Sequence, residues 1–388
     1  MRILYVADGR SPTALNWMRH FVEAGHEVHL VSTFASQPRL KFASLHQVPV
    51  AFSAAAQDAH GGRSALATAM PTGPRTRLRQ WLGPLTLGKA ARQFRELAEE
   101  IQPDIIHAMR IPYEGMLAAA AGLDLPLLIS VWGNDFTLHG PATPLMRRAT
   151  HKALAAASAL HTDTQRDLEL AQEWGFDGSK PGIVLPGNGG IRLDIFHPLP
   201  GAAVRDEVQP RLQIINPRGM RAYVRNDVFF KAIPLVLVKR PEVRVLCPAM
   251  EGEPEAIKWV EEYDLGSYVQ LMPRLRPQAM ADTYHASQVM VSPSTHDGTP
   301  NSLLETMACG VFPVAGDLPS LREWITDGEN GLLTDPNDPQ ALADAIIRAL
   351  KGRTLRARAA EKNWEIIQAR AEYGAVMAKA EEFYQRVI

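Results

Sequence analysis

Two carboxylates, Asp297 and Glu305, stand with seven residues between them in Ser294-Thr295-His296-Asp297-Gly298-Thr299-Pro300-Asn301-Ser302-Leu303-Leu304-Glu305. A polar loop carrying glycine and proline that runs into an apolar periodic stretch predicts a helix, with Thr299 as its cap and Pro300 in its first position. Unpaired N–H groups around residues 300 to 302, aided by the helix dipole, would attract a phosphate. Glu305 falls about one turn into that helix, so both acids can flank one ligand, one holding ribose hydroxyls and the other sugar hydroxyls. Taken as a lone acidic pair, the same residues better suit a plain Asp297-Gly298 turn and a capping or salt-bridged Glu305.

Cations that could answer a phosphate lie upstream. Arg218, Arg221 and Arg225 follow the short apolar run Gln213-Ile214-Ile215-Asn216. Negative charge that builds on a departing phosphate needs fixed positive partners where no metal is held, and arginine supplies charge in a forked geometry. A basic surface turn is the plainer alternative. The chain has no D-x-D sequence and no histidine pair at helical metal spacing, so no metal is expected.

A second group of candidates sits in the amino-terminal half. Asp8-Gly9-Arg10-Ser11-Pro12 occupies a strand-to-helix turn where backbone approaches phosphates, with Gly9 the residue that permits it; it is not G-x-G-x-x-G, which disfavours a nicotinamide cofactor. Trp132 and Asp135 follow the apolar run Leu127-Leu128-Ile129-Ser130-Val131, and His107 and Arg110 follow Ile105-Ile106. All four are candidates for an acceptor pocket, Trp132 as an aromatic wall for a sugar ring or as an ordinary core tryptophan. From Arg75 through Arg95 the chain has no acid, and Arg75, Arg77, Arg79 and Trp81 form a basic, partly aromatic element suited to an anionic lipid surface, a lipid diphosphate, or plain solvation.

These residues must be positioned by strands and helices in alternation. Short apolar runs at 3–7, 27–32, 105–107, 127–131 and 159–162 are separated by helical stretches, among them one opening at Pro12 with Ser11 as cap and an alanine-rich one at 152–158. Glycine and proline gather between Pro186 and Pro210, and the alternation restarts at 213–216, 243–246, 269–271 and 289–292. Such patterning predicts an α/β chain of two Rossmann-like, doubly wound domains facing across a cleft. The expected division is 1–197, 198–370, and a terminal helix 371–388 packing back on the first domain, part of one long helical stretch from about 356 to 387.

The composition agrees. The 388 residues are 46% hydrophobic and 21% charged with a formal net charge of -1, which speaks against wholesale capture of nucleic acid. Cys247 and Cys309 are the only cysteines, far apart, fitting a reducing cytoplasm. No apolar run reaches spanning length, so any membrane contact is expected to be peripheral, on the inner face.

The stretch from Ser292 to Ala315 resembles the donor motif of the family-4 retaining glycosyltransferases of GT-B fold: an acid, seven residues, a glutamate, then a small-residue helix ending in glycine before a Pro-Val strand. Pro319-Ser320-Leu321-Arg322-Glu323 and the Asp327-Gly328-Glu329-Asn330-Gly331 block continue the resemblance, which is specific over roughly residues 289 to 350. It implies metal-independent transfer of a sugar from a nucleotide diphosphate sugar to a hydroxyl acceptor with retention of configuration, the donor serving as co-substrate without any cofactor. Retention rests on the resemblance alone. It further implies catalytic roles for Arg218, Arg225 and Asp297, and donor contacts from Gly9, Gly298, Thr299, Pro300, Asn301, Ser302 and Glu305. The family carries glutamate where this chain has Asp297, lysine where it has Arg225, and often histidine where it has Trp132. Those departures keep open a catalytically silent sugar-nucleotide binder or scaffold, and a related epimerase or phosphorylase stands as the other enzymatic reading.

Overall fold

The computed structural model describes residues 1–53, 72–199 and 212–388, the side chains of 72–76 excepted. The chain forms two units, Met1–Gly189 with Ala375–Ile388, and Gly190–Gly374. The position 197/198, where the sequence suggests a boundary, lies inside the second unit, and the last helix lies from Ala375 onward in the first.

The first unit is built on a parallel sheet of seven strands: β1 (Arg2–Ala7), β2 (Glu27–Ser32), β3 (Ser44–Gln47), β4 (Ile105–Ala108), β5 (Leu127–Val131), β6 (Ala159–Thr162) and β7 (Gly182–Val184), in spatial order 3-2-1-4-5-6-7. The inner strands are buried and mostly apolar because helices cover both faces; at the edge, β3 alternates half-buried and exposed positions. Helix α1 (Pro12–Glu23) starts where Ser11 accepts from the Ala14 N–H at 3.3 Å and buries Trp17, Met18 and Phe21. Helix α2 (Thr72–Leu82), α3 (Leu87–Ile101), α4 (Met116–Ala121), α5 (Pro144–Ala156) and α6 (Gln165–Glu173) follow. Thr143 caps α5, so the alanine-rich stretch at 152–156 is the end of a longer helix and 157–158 lie beyond it.

Beneath this sheet runs a buried polar chain. His161 Nε2 lies 3.0 Å from the Leu185 carbonyl, which can only accept, so that nitrogen carries the proton and Nδ1 accepts from Ser130 at 2.8 Å. The Ser130 oxygen then accepts from His107 Nε2 at 2.8 Å, and His107 Nδ1 accepts from the Tyr384 hydroxyl. Tyr384 in turn accepts from Trp17 Nε1 at 3.0 Å and from Tyr5 at 3.1 Å. Every hydrogen thus has one assigned direction, with both imidazoles neutral. Burial agrees, pushing His107 well below the usual histidine range and His161 down to about 4.

The second unit repeats the plan with six parallel strands, β8 (Gln213–Ile215), β9 (Arg244–Cys247), β10 (Val269–Leu271), β11 (Val289–Ser292), β12 (Phe312–Gly316) and β13 (Leu332–Thr334), in order 10-9-8-11-12-13. Helices α7 (Asn226–Lys239), α8 (Pro254–Glu262), α9 (Pro277–His285), α10 (Asn301–Ala308), α11 (Pro339–Lys351) and α12 (Arg353–Arg370) connect them. The helical stretch expected from 356 to 387 is broken: α12 stops at Arg370 and α13 (Tyr373–Val387) starts anew. At the break the Ala371 carbonyl accepts from Ile191 N–H at 2.6 Å, and Tyr373 N–H returns to Ile191 at 3.0 Å. A single strand-like residue thereby takes the place of a helical turn.

Both sheets change winding direction at one gap, between β1 and β4 in the first and between β8 and β11 in the second. Side chains at the carboxyl ends of those strands are the ones such a fold offers to ligands.

Candidate functional site

In the second unit the gap is flanked by the loop after β8, which carries Arg218, and the loop after β11, which carries Asp297. Arg218 Nη2 reaches both Asp297 oxygens, at 3.0 and 2.7 Å, and Nη1 reaches Ser302 Oγ at 3.2 Å. Both side chains are about nine-tenths buried. Burial works against the guanidinium charge, and the Asp297 carboxylate more than offsets it, holding the Arg218 pKa above its ordinary value. Breaking such a buried pair costs about 3–5 kcal/mol, because the remaining charge is stranded.

The Arg218 turn is built from within. The Asn216 Oδ1 accepts from Arg218 N–H at 3.2 Å, its Nδ2 donates to Asn226 at 3.0 Å, and Asn226 Nδ2 donates to the Gly219 carbonyl at 3.0 Å. Gly219 adopts φ +61°, a left-handed conformation that glycine tolerates. The two loops are then stitched together: Arg225 N–H donates to Pro293, and Thr295 N–H and Oγ1 both donate to the Tyr223 carbonyl. Of the rivals for the second cation, Arg225 is paired through Nε and Nη2 with Asp227, each at 2.8 Å, and touches Asn337. Arg221 is exposed and, among the described residues, bonds the Arg218 carbonyl and the Tyr223 hydroxyl.

The helix after Asp297 begins one residue later than its sequence suggests. Pro300 is the capping position of α10 and Asn301 its first residue. The Thr299 hydroxyl, one residue before the cap, accepts from Trp324 Nε1 at 2.9 Å. Gly298, Thr299 and Pro300 are buried, while Asn301 and Ser302 are partly exposed; the N–H groups of the latter two belong to a first helical turn and have no intrahelical acceptor. Glu305 sits one turn in, with its Oε2 accepting from the Tyr284 hydroxyl at 3.1 Å. Burial pushes its carboxyl up to about 7. Tyr284 gave no signal in the sequence beyond its place on an amphipathic helix.

In the first unit a cavity of about 240 Å³ opens at the carboxyl ends of β1, β4 and β5, lined among others by Arg10, Arg79, Arg110, Glu114 and Trp132. Arg110 pairs with Asp135 at 2.8 Å. Asp135 itself is fully buried and also accepts from Ile111 and Trp132 N–H groups at 3.2 Å, so it orients Arg110 and does not face a ligand. The Arg110 guanidinium lies 5.2 Å from the Trp132 ring. One expectation is corrected. His107 is fully buried in the polar chain under the sheet and does not line the cavity, because its partner Tyr384 arrives from 277 residues away. Gly9 is buried, and its N–H donates to Ser32 Oγ at 3.0 Å. A Cβ at Gly9 would come within 2.2 Å of Ser36 Oγ, so glycine is there for the close approach.

Two cavity residues escaped the sequence reading. Glu114 follows β4 in Arg110-Ile111-Pro112-Tyr113-Glu114; its Oε1 accepts from Thr33 at 3.1 Å, its Oε2 has no partner, and burial pushes it up to about 7. Arg79 belongs to the basic element but turns inward, its guanidinium 4.9 Å from the Tyr113 ring and 5.3 Å from Phe34. Arg77, Leu78, Trp81 and Leu82 remain exposed on the outer face of α2, and the Arg75 side chain lies outside the described residues. Among the described residues no helix is long and apolar enough to cross a membrane.

Comparison with known proteins gives the same two-part division. Residues 8–187 match the glycosyl transferase 4-like domain, and residues 218–352 match the glycosyl transferases group 1. The D-inositol 3-phosphate glycosyltransferase of Xylanimonas cellulosilytica is 30% identical over 248 residues, covering 59% of this chain and 58% of that protein. The enzyme of the same name from Streptomyces avermitilis is 27% identical over 208 residues, covering 50% and 44%. The matches thus span about half the length of these curated relatives. Among solved structures, sucrose-phosphate synthase from Thermosynechococcus elongatus superposes with a TM-score of 0.77 at 17% identity, covering 100% of this chain and 99% of that one. Anabaena Alr3699/HepE, solved with UDP-glucose, gives 0.73 at 17% identity and covers 100% of both. At such identities the likeness is one of fold.

Proposed function

From the membership of this chain in the family-4, group 1 glycosyltransferases of GT-B fold, we propose that it transfers a sugar from a nucleotide diphosphate sugar to a hydroxyl acceptor, with retention of configuration and without a metal. The observation that carries this reading is the buried Arg218–Asp297 pair at the gap between β8 and β11, beside the first turn of α10. A diphosphate fits there because the guanidinium is fixed, mostly dry, and flanked by N–H groups aimed outward. Arg218 neutralises the phosphate oxygen as the bond from the anomeric carbon breaks. Arg225, loosened from Asp227, or the unencumbered Arg221 supplies the second charge. The leaving phosphate takes the proton of the attacking hydroxyl on the same face of the sugar.

Glu305 accepts the ribose hydroxyls. Asp297 meets the sugar hydroxyls with one oxygen while the other keeps Arg218 in place; one methylene shorter than glutamate, it favours that tether over reach. The Trp132 and Arg110 side of the first-unit cavity receives the acceptor. The exposed Leu78, Trp81 and Leu82 beside Arg77 support peripheral contact of α2 with an anionic membrane surface, on the cytoplasmic side.

The test is turnover of UDP-, GDP- and ADP-sugars, each with and without an acceptor extract, in the wild type and in Arg218→Ala and Glu305→Ala. Transfer by the wild type that Arg218→Ala lowers by roughly a hundredfold, the scale of losing one transition-state charge partner, supports the reading. Tight nucleotide binding with no turnover of any donor would instead favour a silent binding protein.

A further inference from the structure

We propose that Tyr284 is a positioning residue of the donor site: its buried hydroxyl ties one oxygen of the Glu305 carboxylate and presents the other to the donor's ribose. The role rests on the glycosyltransferase reading above, in which Glu305 meets the ribose.

The tie starts from a hydroxyl in an apolar place. Tyr284 lies near the end of α9, fully buried, with its ring edge-to-face on Phe196 at 6.3 Å. It belongs to one core cluster with Leu303, Leu304 and Met307 of α10. A phenyl ring would fill the same space, whereas the hydroxyl has to find a partner. Two acceptors of α10 stand before it, Glu305 Oε2 at 3.1 Å and the Ser302 carbonyl at 3.4 Å. Ser302 and Glu305 are three residues apart and so share a helix face. A phenol has one proton to give, and the shorter, charge-assisted bond to the carboxylate takes it while Glu305 is ionised.

Glu305 is held from one side. It is partly exposed, and among the described residues its carboxylate accepts from Tyr284 alone. A glutamate on a helix face turns about three side-chain torsions, and tying one oxygen removes much of that freedom before a ligand arrives, so less order is left for binding to impose. The same bond favours the anion. Burial raises the Glu305 carboxyl to about 7, and the Tyr284 hydroxyl pulls it the other way. Burial and then the Glu305 charge hold Tyr284 well above the usual tyrosine range, which keeps it a donor. Among the described residues, Cys309, one turn beyond Glu305, and Arg218, from the loop after β8, also face Tyr284. Arg218 reaches Ser302 Oγ at 3.2 Å, so the cation assigned to the phosphate and the tyrosine behind the ribose carboxylate meet the same residue of α10.

Affinity for UDP-glucose, with GDP- and ADP-glucose in parallel, measured by calorimetry from pH 6 to pH 8.5 tests this in the wild type, Tyr284→Phe, Glu305→Gln and the double variant. Losing the hydroxyl should move the midpoint of the affinity profile up by about one pH unit, the scale of one hydrogen bond to a charged group. Binding by Tyr284→Phe should therefore be weakened about fivefold at pH 7 and return to within about twofold of wild type at pH 8.5, a recovery that also shows the variant to be folded. In the Glu305→Gln background the same substitution should change binding by less than about twofold. A loss of affinity that is equal at every pH and in both backgrounds makes Tyr284 a core residue only and overturns the proposal. An unchanged profile in Tyr284→Phe overturns it as well, and in either case Glu305-dependent binding by the wild type leaves the donor reading standing. If the wild type binds none of the three nucleotide sugars, that reading falls and the role of Tyr284 falls with it.

Discussion

Arg218 and Asp297, 79 residues apart in sequence, share a single guanidinium nitrogen that lies within 3.0 Å of both carboxylate oxygens. The pair ties two loops together, and in the proposed function it also holds the place of the donor's diphosphate. Asp297→Asn should lower folding stability by about 3 kcal/mol, because it strands the Arg218 charge. UDP should restore more stability to this variant than to the wild type, since its phosphates replace the lost carboxylate. Urea denaturation with and without UDP checks this; equal UDP stabilisation of both proteins would show that the nucleotide does not meet Arg218.

Glu305 should make donor binding depend on pH. Its carboxyl is pushed up to about 7 by burial, and only the anion accepts two ribose hydroxyls fully. Affinity for UDP-glucose, whose phosphates do not titrate in this range, should therefore rise roughly tenfold from pH 6 to pH 8, following the carboxylate fraction. In Glu305→Gln the profile should be flat. A wild-type profile that is flat as well would place the ribose elsewhere.

The neutral histidines under the first sheet predict acid lability. Both have folded pKa values below the unfolded value near 6.5, so their contribution is complete above about 6.5 and is lost as pH falls towards the folded values. His161 should cost about 1.5 kcal/mol between pH 6.5 and pH 5, and His107 should act in the same direction. Glu114 and Glu305, with raised values, act in the opposite direction between about 4.5 and 7. The histidine share is isolated by comparing the wild type with His161→Gln at pH 7 and pH 5: the gap between their denaturation midpoints should narrow in acid.

Gly9→Ala tests whether that glycine is structural. Its Cβ would lie 2.2 Å from Ser36 Oγ and 3.0 Å from Ser36 Cβ, so a loss of about 1–3 kcal/mol is expected from overpacking. Adding Ser36→Ala should recover only part, since the Cβ contact persists. Full stability in Gly9→Ala would mean the turn is free to move.

The strands at the middle of each sheet were legible because burial on both faces demands mostly apolar runs, as in Leu127–Val131 and Val289–Ser292. The edge strand Ser44–Gln47 was not, because half of its positions face outward and its sequence looks like any loop. Asp297, Arg218 and Glu305 could be singled out by spacing, yet spacing did not reveal that the first two bind each other. His107 was legible as a strand-end residue and not as a buried one, because its partner Tyr384 lies outside any local window. Thr299 looked like a cap, yet the capping position is Pro300, and the Thr299 hydroxyl accepts from Trp324, 25 residues on. Arg79 was read as part of a surface charge run, since no local pattern says which arginine of a basic helix turns inward.

The terminal helix gives the first unit a peculiar order of assembly. Tyr384 supplies the hydroxyl on which Trp17, Tyr5 and His107 converge, and it is translated after every residue of the second unit. On the ribosome the amino-terminal half emerges first but waits with Trp17 Nε1 and His107 Nδ1 unsatisfied, while the second unit, contiguous from Gly190 to Gly374, already has its whole sequence. The half of the chain that is made first is the last to be finished.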